Sequence, residues 1–212
     1  MTLGQFDRAI ACVSEAKGLK VQDDITTAQI EYFEATILIA QGKREDGLRV
    51  LSQVLSKCSH KLSGDEARKL YEDIQTQRAF TLMHLCRYQE ARSILEEVVT
   101  FEMSQDCRAD AHCQLARCYF ELSDYKRAKE QCLMAQELGP GDDWASTFHY
   151  YFGYTLYELK EFEAAKRQAF MSLQSSANGP PRSYILKLLA ATYRKLGDHD
   201  RARECARAAE TQ

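Results

Sequence analysis

The stretch 122–135, LSDYKRAKEQCLMA, returns 37 residues later as LKEFEAAKRQAFMS and after a further 37 as LGDHDRARECARAA. Thirty-seven residues before it stands LCRYQEARSILEEV. Self-similarity at a fixed period of this length means that one supersecondary unit is copied and stacked, because no single copy can bury its own apolar face.

The period is carried by small residues. The anchors, one small residue in each second helix, are Ala9, Gly47, Ala91, Ala128, Ala165 and Ala202, with intervals of 38, 44, 37, 37 and 37. Twelve positions before each of the last five stands another small residue: Ala35, Ala79, Ala116, Gly153 and Ala190. Leu38, Leu82, Tyr119, Leu156 and Tyr193 follow those by three. Four and seven positions after the anchors come pairs such as Leu51 and Val54, Leu95 and Val98, Cys132 and Ala135, or Ala169 and Ser172. Offsets of three, four and seven place residues on one stripe of a helix. Two such stripes joined by a short connection make a helical hairpin whose small residues allow close approach. Three prolines in 212 residues, and no strict apolar–polar alternation, predict an all-α chain.

These residues resemble the tetratricopeptide repeat family, whose motif spaces an aromatic, Leu-Gly, Tyr, Ala, Phe and Pro over 34 residues. The fullest match is Leu115, Ala116, Tyr119, Tyr125, Ala128, Cys132, Ala135 and Pro140, followed by Phe152, Gly153, Leu156, Phe162 and Ala165. Glu34 and Arg78 stand in the large apolar slot, and Gly47 in place of the anchoring Ala, so the second and third units depart furthest from the motif. The resemblance implies an α-α superhelix, a solenoid of stacked hairpins whose first helices line a concave groove.

The expected layout is eleven helices: 4–18, 23–41, 44–58, 65–85, 88–102, 105–122, 125–138, 142–159, 162–176, 180–196 and 199–211. The whole of 1–212 reads as a single domain in which an unpaired helix at 4–18 precedes five hairpins at 23–58, 65–102, 105–138, 142–176 and 180–211. With no helix before the first, Phe6, Ile10 and Val13 sit on an uncovered end, as in a piece of a longer protein. The spacing of 37 rather than 34 predicts an added turn at each first helix, beginning at Ser104, at Asp142-Asp143 or at Gly179-Pro180-Pro181. The 44-residue interval predicts a longer connection around SKCSHKLSGD, 56–65.

Chemistry is scarce in this pattern. Cys107, His112, Cys113 and Cys118 lack the three- or four-residue spacing by which ligands on one helix converge, so no metal is expected. No strand precedes a glycine-rich phosphate loop and no nucleophile elbow is present, so neither a cofactor nor an enzymatic activity is expected. Eight cysteines without a CxxC pair read as reduced, small apolar groups. Neither a signal peptide nor a spanning segment is visible, which predicts a cytoplasmic or nuclear protein.

The expected function is a protein–protein interaction scaffold. Tyr150, Tyr151, Tyr154 and Tyr157 crowd one first helix, and Tyr150, Tyr154 and Tyr157 share a face. At equivalent places nearby stand Arg117 and Phe120, Lys187 and Arg194, and Phe80. Aromatic rings with cations at the margin are the composition of interface hot spots, suited to a protein or peptide segment with apolar anchors and acidic residues. The alternatives are an RNA-binding helical array or the regulatory domain of a larger enzyme. Arg92, Lys129, Lys166 and Arg203 recur one residue after the anchors and could form a basic flank, but a net charge of −3 argues against nucleic acid. The resemblance also brings to mind relatives that grip a chaperone C-terminus with Lys and Asn. The matching positions here are Tyr32, Thr36, Gln77, Asp110 and Gln114, so that partner is not expected, and neither is a membrane.

Overall fold

The computed structural model describes residues 3–19, 23–61, 64–102, 104–139, 141, 144–175 and 179–211, and of 3–7 and 58–61 the backbone alone. Among them are eleven helices and no strand: α1 (Leu3–Gly18), α2 (Asp24–Ala40), α3 (Arg44–Lys61), α4 (Asp65–His84), α5 (Tyr88–Val98), α6 (Gln105–Glu121), α7 (Tyr125–Leu138), α8 (Ala145–Glu158), α9 (Phe162–Gln174), α10 (Arg182–Lys195) and α11 (His199–Glu210). They form two compact units, Met1–Phe101 and Glu102–Gln212.

In the first unit α2 pairs with α3 and α4 with α5; α1 packs on α2, α3 on α4, and α2 lies beside α4. Ala28, Ala35, Leu51, Val54, Leu70 and Ile74 form its core. α1 is tied to α2 through the Lys17–Glu34 ion pair. Ile10 is exposed and Val13 half-buried, whereas the Phe6 side chain lies outside the described residues.

In the second unit α6 pairs with α7, α8 with α9 and α10 with α11, while α6, α8 and α10 lie side by side. The predicted packing stripe is the one buried: Ala91, Ala128 and Ala165 are fully enclosed, as are Leu95, Val98, Ala135 and Ala169. The small residues earn their places by distance. A Cβ built on Gly153 would stand 3.3 Å from the Ala165 carbonyl oxygen and from the Ala169 amide nitrogen. Gly47 is therefore not a weakened anchor either. A Cβ there would lie 2.4 Å from Ile39 Cγ1 and 3.0 Å from the Ala35 oxygen, so glycine is what the α2–α3 approach requires.

Two local expectations are corrected. The 44-residue interval does not become a long loop at 56–65. The α3 backbone stays helical to Lys61 and α4 begins at Asp65, because no helix breaker stands in this stretch before Gly64, which has φ of 104°. Nor does the longer period add a turn to every first helix. α6 has 17 residues behind its Ser104 cap, whose hydroxyl accepts from the Cys107 amide, but α8 and α10 have 14. α10 starts at Arg182 behind Pro181, which stays extended at ψ 134° as an N-cap residue does. Asp142 and Asp143, like Pro140, lie outside the described residues.

Each hairpin turn repeats one backbone device. The residue after the first helix's cap has positive φ in every case: Gly42 (84°), Cys86 (58°), Ser123 (61°), Lys160 (64°) and Gly197 (82°). The following amide donates back across the turn: Lys43 to Leu38, Arg87 to Leu82, Asp124 to Tyr119, Glu161 to Leu156 and Asp198 to Tyr193, at 2.9–3.0 Å. This is the Schellman closure of a helix C-terminus, which normally selects glycine. A side chain in the left-handed region costs about 1–2 kcal/mol, partly offset because glycine loses more entropy on folding. Lys160→Gly should therefore raise stability by about 0.5–1 kcal/mol, measured as a shift of the urea midpoint at constant slope. An unchanged midpoint would mean that the turn carries no strain.

Candidate functional site

The second unit presents one connected group of aromatic rings along α6 and α8. Phe120 on α6 stands 5.3 Å from the Tyr151 ring and 5.1 Å from Tyr154, both edge-on. Tyr150 meets Tyr151 at 5.4 Å and Tyr154 at 6.1 Å, and Tyr154 meets Tyr157 at 6.2 Å. The Arg117 guanidinium lies over the Tyr151 ring at 5.3 Å, and the Tyr151 hydroxyl donates to Glu121 at 3.3 Å. The tyrosines divide by helical position. Tyr151 faces α6, Tyr150 and Tyr157 turn toward α10, and Tyr154 meets both Phe120 of α6 and the α10 side.

Between α8 and α10 these rings wall an open cleft of about 260 Å³, lined by Tyr150, Tyr154, Tyr157, Tyr184, Lys187, Leu188 and Ala191. Among the described residues no carboxylate lines it. Lys187 is exposed and its ammonium sits 5.6 Å from the Tyr184 ring centre. Burial, with Tyr151 and Tyr154 beside it, pushes the Tyr150 phenol up to about 12, and burial also raises Tyr154. Both hydroxyls are therefore neutral donors at any physiological pH. The rings are half-buried rather than free: Tyr157 packs on both the α6–α9 core and the α9–α11 core, with Phe162 edge-on at 5.6 Å. Its body is packing, and only part of it borders the cleft.

Of the remaining candidates, Arg194 is exposed on the last turn of α10 and Phe80 is half-buried on α4 of the first unit. Tyr184 was not foreseen. It is 52% exposed and completes the cleft, and stepping back one turn from Lys187 along α10 would have found it.

The cysteine and histidine candidates have structural settings. Cys118 is fully buried and Cys107 exposed. Burial pushes the Cys113 thiol up to about 12 and Cys132 well above the ordinary thiol value, so both stay neutral. The seven described cysteines with side chains are free, and among the described residues no three His, Cys, Asp or Glu gather as a metal site. His112 Nδ1 instead bonds Gln131 Oε1 at 2.8 Å, and one period later His149 Nδ1 bonds Gln168 Oε1 at 2.7 Å. Since Oε1 only accepts, the Nδ1–H donates, tying first helix to second within each hairpin.

Burial holds the His149 imidazole below its usual value, against the smaller opposing effect of Gln168. The unfolded chain thus binds this proton more readily, and the stability it contributes is present above about pH 6.5 and lost as pH falls from there through the folded value. Melting temperatures between pH 7.5 and 5 should fall, and less steeply in His149→Gln. Equal slopes in parent and variant would sink this assignment.

The recurring cations are paired with neighbours: Arg92 with Glu96 at 3.6 Å, Lys129 with Glu161, Lys166 with Glu163 and Arg203 with Asp200, the last three at 2.6 Å. No helix among the described residues is long and apolar enough to cross a membrane.

Comparison with known proteins agrees with this geometry. A tetratricopeptide repeat model matches residues 109–140 and 185–211, the α6–α7 and α10–α11 hairpins. BtubC (BKLC) from P. vanneervenii has a similar structure, with a TM-score of 0.73 at 19% identity over 100% of this chain and 91% of that one. MamA from Desulfovibrio magneticus RS-1 superposes with a TM-score of 0.68 at 16% identity, covering 87% of this chain and 93% of its own. A Podosopora anserina kinesin light chain with nearly identical TPR-like repeats gives 0.66 at 16% identity over 90% and 97%. No curated protein matches the chain in sequence. The fold class is thus all-α, of the α-α superhelix type, and two of its hairpins match the tetratricopeptide repeat.

Proposed function

We propose that the protein is an interaction scaffold that holds a partner segment on the surface formed by its first helices. Members of this repeat family generally mediate protein–protein interaction. The observation that carries the reading here is the cleft between α8 and α10, where four tyrosines and Lys187 meet with no carboxylate among them. Phenol rings offer large apolar area at low entropic cost, and their hydroxyls with the lysine ammonium suit an acidic group beside an apolar anchor. The role is binding rather than catalysis, and the neutralised cations on α5, α7, α9 and α11 give an RNA backbone little to grip. Arg117, Phe120, Tyr150, Tyr151, Tyr154, Tyr157, Lys187 and Arg194 form the contact surface in the second unit; Phe80, on α4 of the first unit, is a separate candidate.

The test begins with peptides selected against the full chain from a random display library. Tyr150→Ala and Tyr154→Ala should each weaken the selected peptides about tenfold or more, equivalent to about 1.4 kcal/mol, at unchanged helicity. Arg117→Glu should weaken them more at low salt than at high salt. Variants that fold and bind like the parent would place the partner on another surface.

A further inference from the structure

The first unit carries a second cleft with the opposite electrostatic character. It lies between α2 and α4 and has a volume of about 380 Å³. Its wall on α2 is Tyr32 and Phe33, whose ring centres are 5.8 Å apart with planes inclined at 55°. Phe33 is 57% exposed, the most exposed aromatic side chain among the described residues. The facing wall on α4 carries Glu66, Lys69, Leu70 and Asp73. Neither Glu66 nor Asp73 forms an ion pair with Lys69 or with any other described residue, although most other carboxylates on α2 and α4 that come near a cation are used: Glu31 by Lys57, Glu34 by Lys17, Glu72 by Arg68. Two carboxylates against one ammonium leave the cleft net negative. Burial raises the Asp73 carboxyl, against the smaller opposing effect of Lys69.

We infer that this cleft docks a basic segment of a partner protein, an arginine or lysine lying against Phe33 and Tyr32 with its charge toward Asp73 and Glu66. Two features choose this occupant over an acidic or purely apolar one. An inclined pair of rings presents a π-face to which a cation is attracted, guanidinium most of all. The two unpaired carboxylates lie within the same cleft, so one side chain can meet ring and charge together. An acidic segment suited to the α8–α10 cleft would be repelled here. The inference does not depend on the function proposed for that cleft.

Fluorescence anisotropy of a labelled hexa-arginine peptide with the full chain tests it, with hexa-glutamate as the opposite probe. Hexa-arginine should bind with an affinity that falls as salt rises. The double variant Glu66→Gln, Asp73→Asn should weaken it about tenfold or more, and Phe33→Ala about threefold or more, both at unchanged melting temperature because all three side chains reach solvent. Tyr154→Ala should leave it unchanged, which separates failure here from failure at the other cleft. Equal affinity in the double variant, or equal affinity in Phe33→Ala, would overturn the proposal. So would a concentration-dependent dimer that hexa-arginine dissociates, since the occupant would then be a second copy of this chain.

Discussion

Ala165→Leu is expected to lower stability by about 1–3 kcal/mol, and Ala128→Leu by a similar amount. Both sites are fully enclosed, and the Ala165 carbonyl already lies 3.3 Å from where a side chain would begin on Gly153 of the facing helix. Three further heavy atoms have nowhere to go unless α9 moves off α8. Leucine is nearly as good a helix former as alanine, so intrinsic propensity does not obscure the result. Chemical denaturation should show the loss in the midpoint. If both variants unfold at the parent's midpoint, the small-residue stripe is not the contact that sets hairpin geometry.

Gly47→Ala should also destabilise, which runs against the usual direction of a glycine-to-alanine change in a helix. Alanine brings up to about 1 kcal/mol of helix propensity. Against it, the new methyl would stand 2.4 Å from Ile39 Cγ1 and 3.0 Å from a backbone oxygen that cannot rotate away. Overpacking at about 1–3 kcal/mol therefore outweighs propensity, leaving a net loss of up to about 2 kcal/mol. Ile39→Ala in the same chain should recover part of it, as a positive coupling in a double-mutant cycle. A stabilised Gly47→Ala would show that α2 and α3 separate freely.

The packing stripe was legible because it rests on residue size alone. Ala91, Leu95 and Val98 announce a buried face wherever they recur at helical spacing. The turns were harder. Only Gly42 and Gly197 look like left-handed residues, whereas Cys86, Ser123 and Lys160 adopt the same conformation under the backbone hydrogen bonds that close each helix. Side-chain identity carries no signal there, and only the period does. The same period wrote the His112–Gln131 and His149–Gln168 pairs, but the members of each stand 19 residues apart, beyond any local pattern. Within the α8–α10 cleft, the tyrosines of α8 could be read from one helix, because spacing fixes which of them share a face. Tyr184 is signalled only by its place one turn before Lys187, and its part in the cleft depends on how α10 lies beside α8. The stretch 56–65 misled for a related reason. Its interval is long, yet the added residues extend helices instead of a loop.

One property of the packing bears on how the chain is made. Among the described residues every helix packs only on the next helix or the next but one. Closing such short loops costs little chain entropy, and helical units with local contacts fold in microseconds to milliseconds. A repeat of 37 residues leaves a ribosome over roughly 2–7 seconds at ordinary rates of synthesis. Within each unit a hairpin can thus settle onto its predecessor before the following one has emerged, and there the order of translation is also the order of assembly.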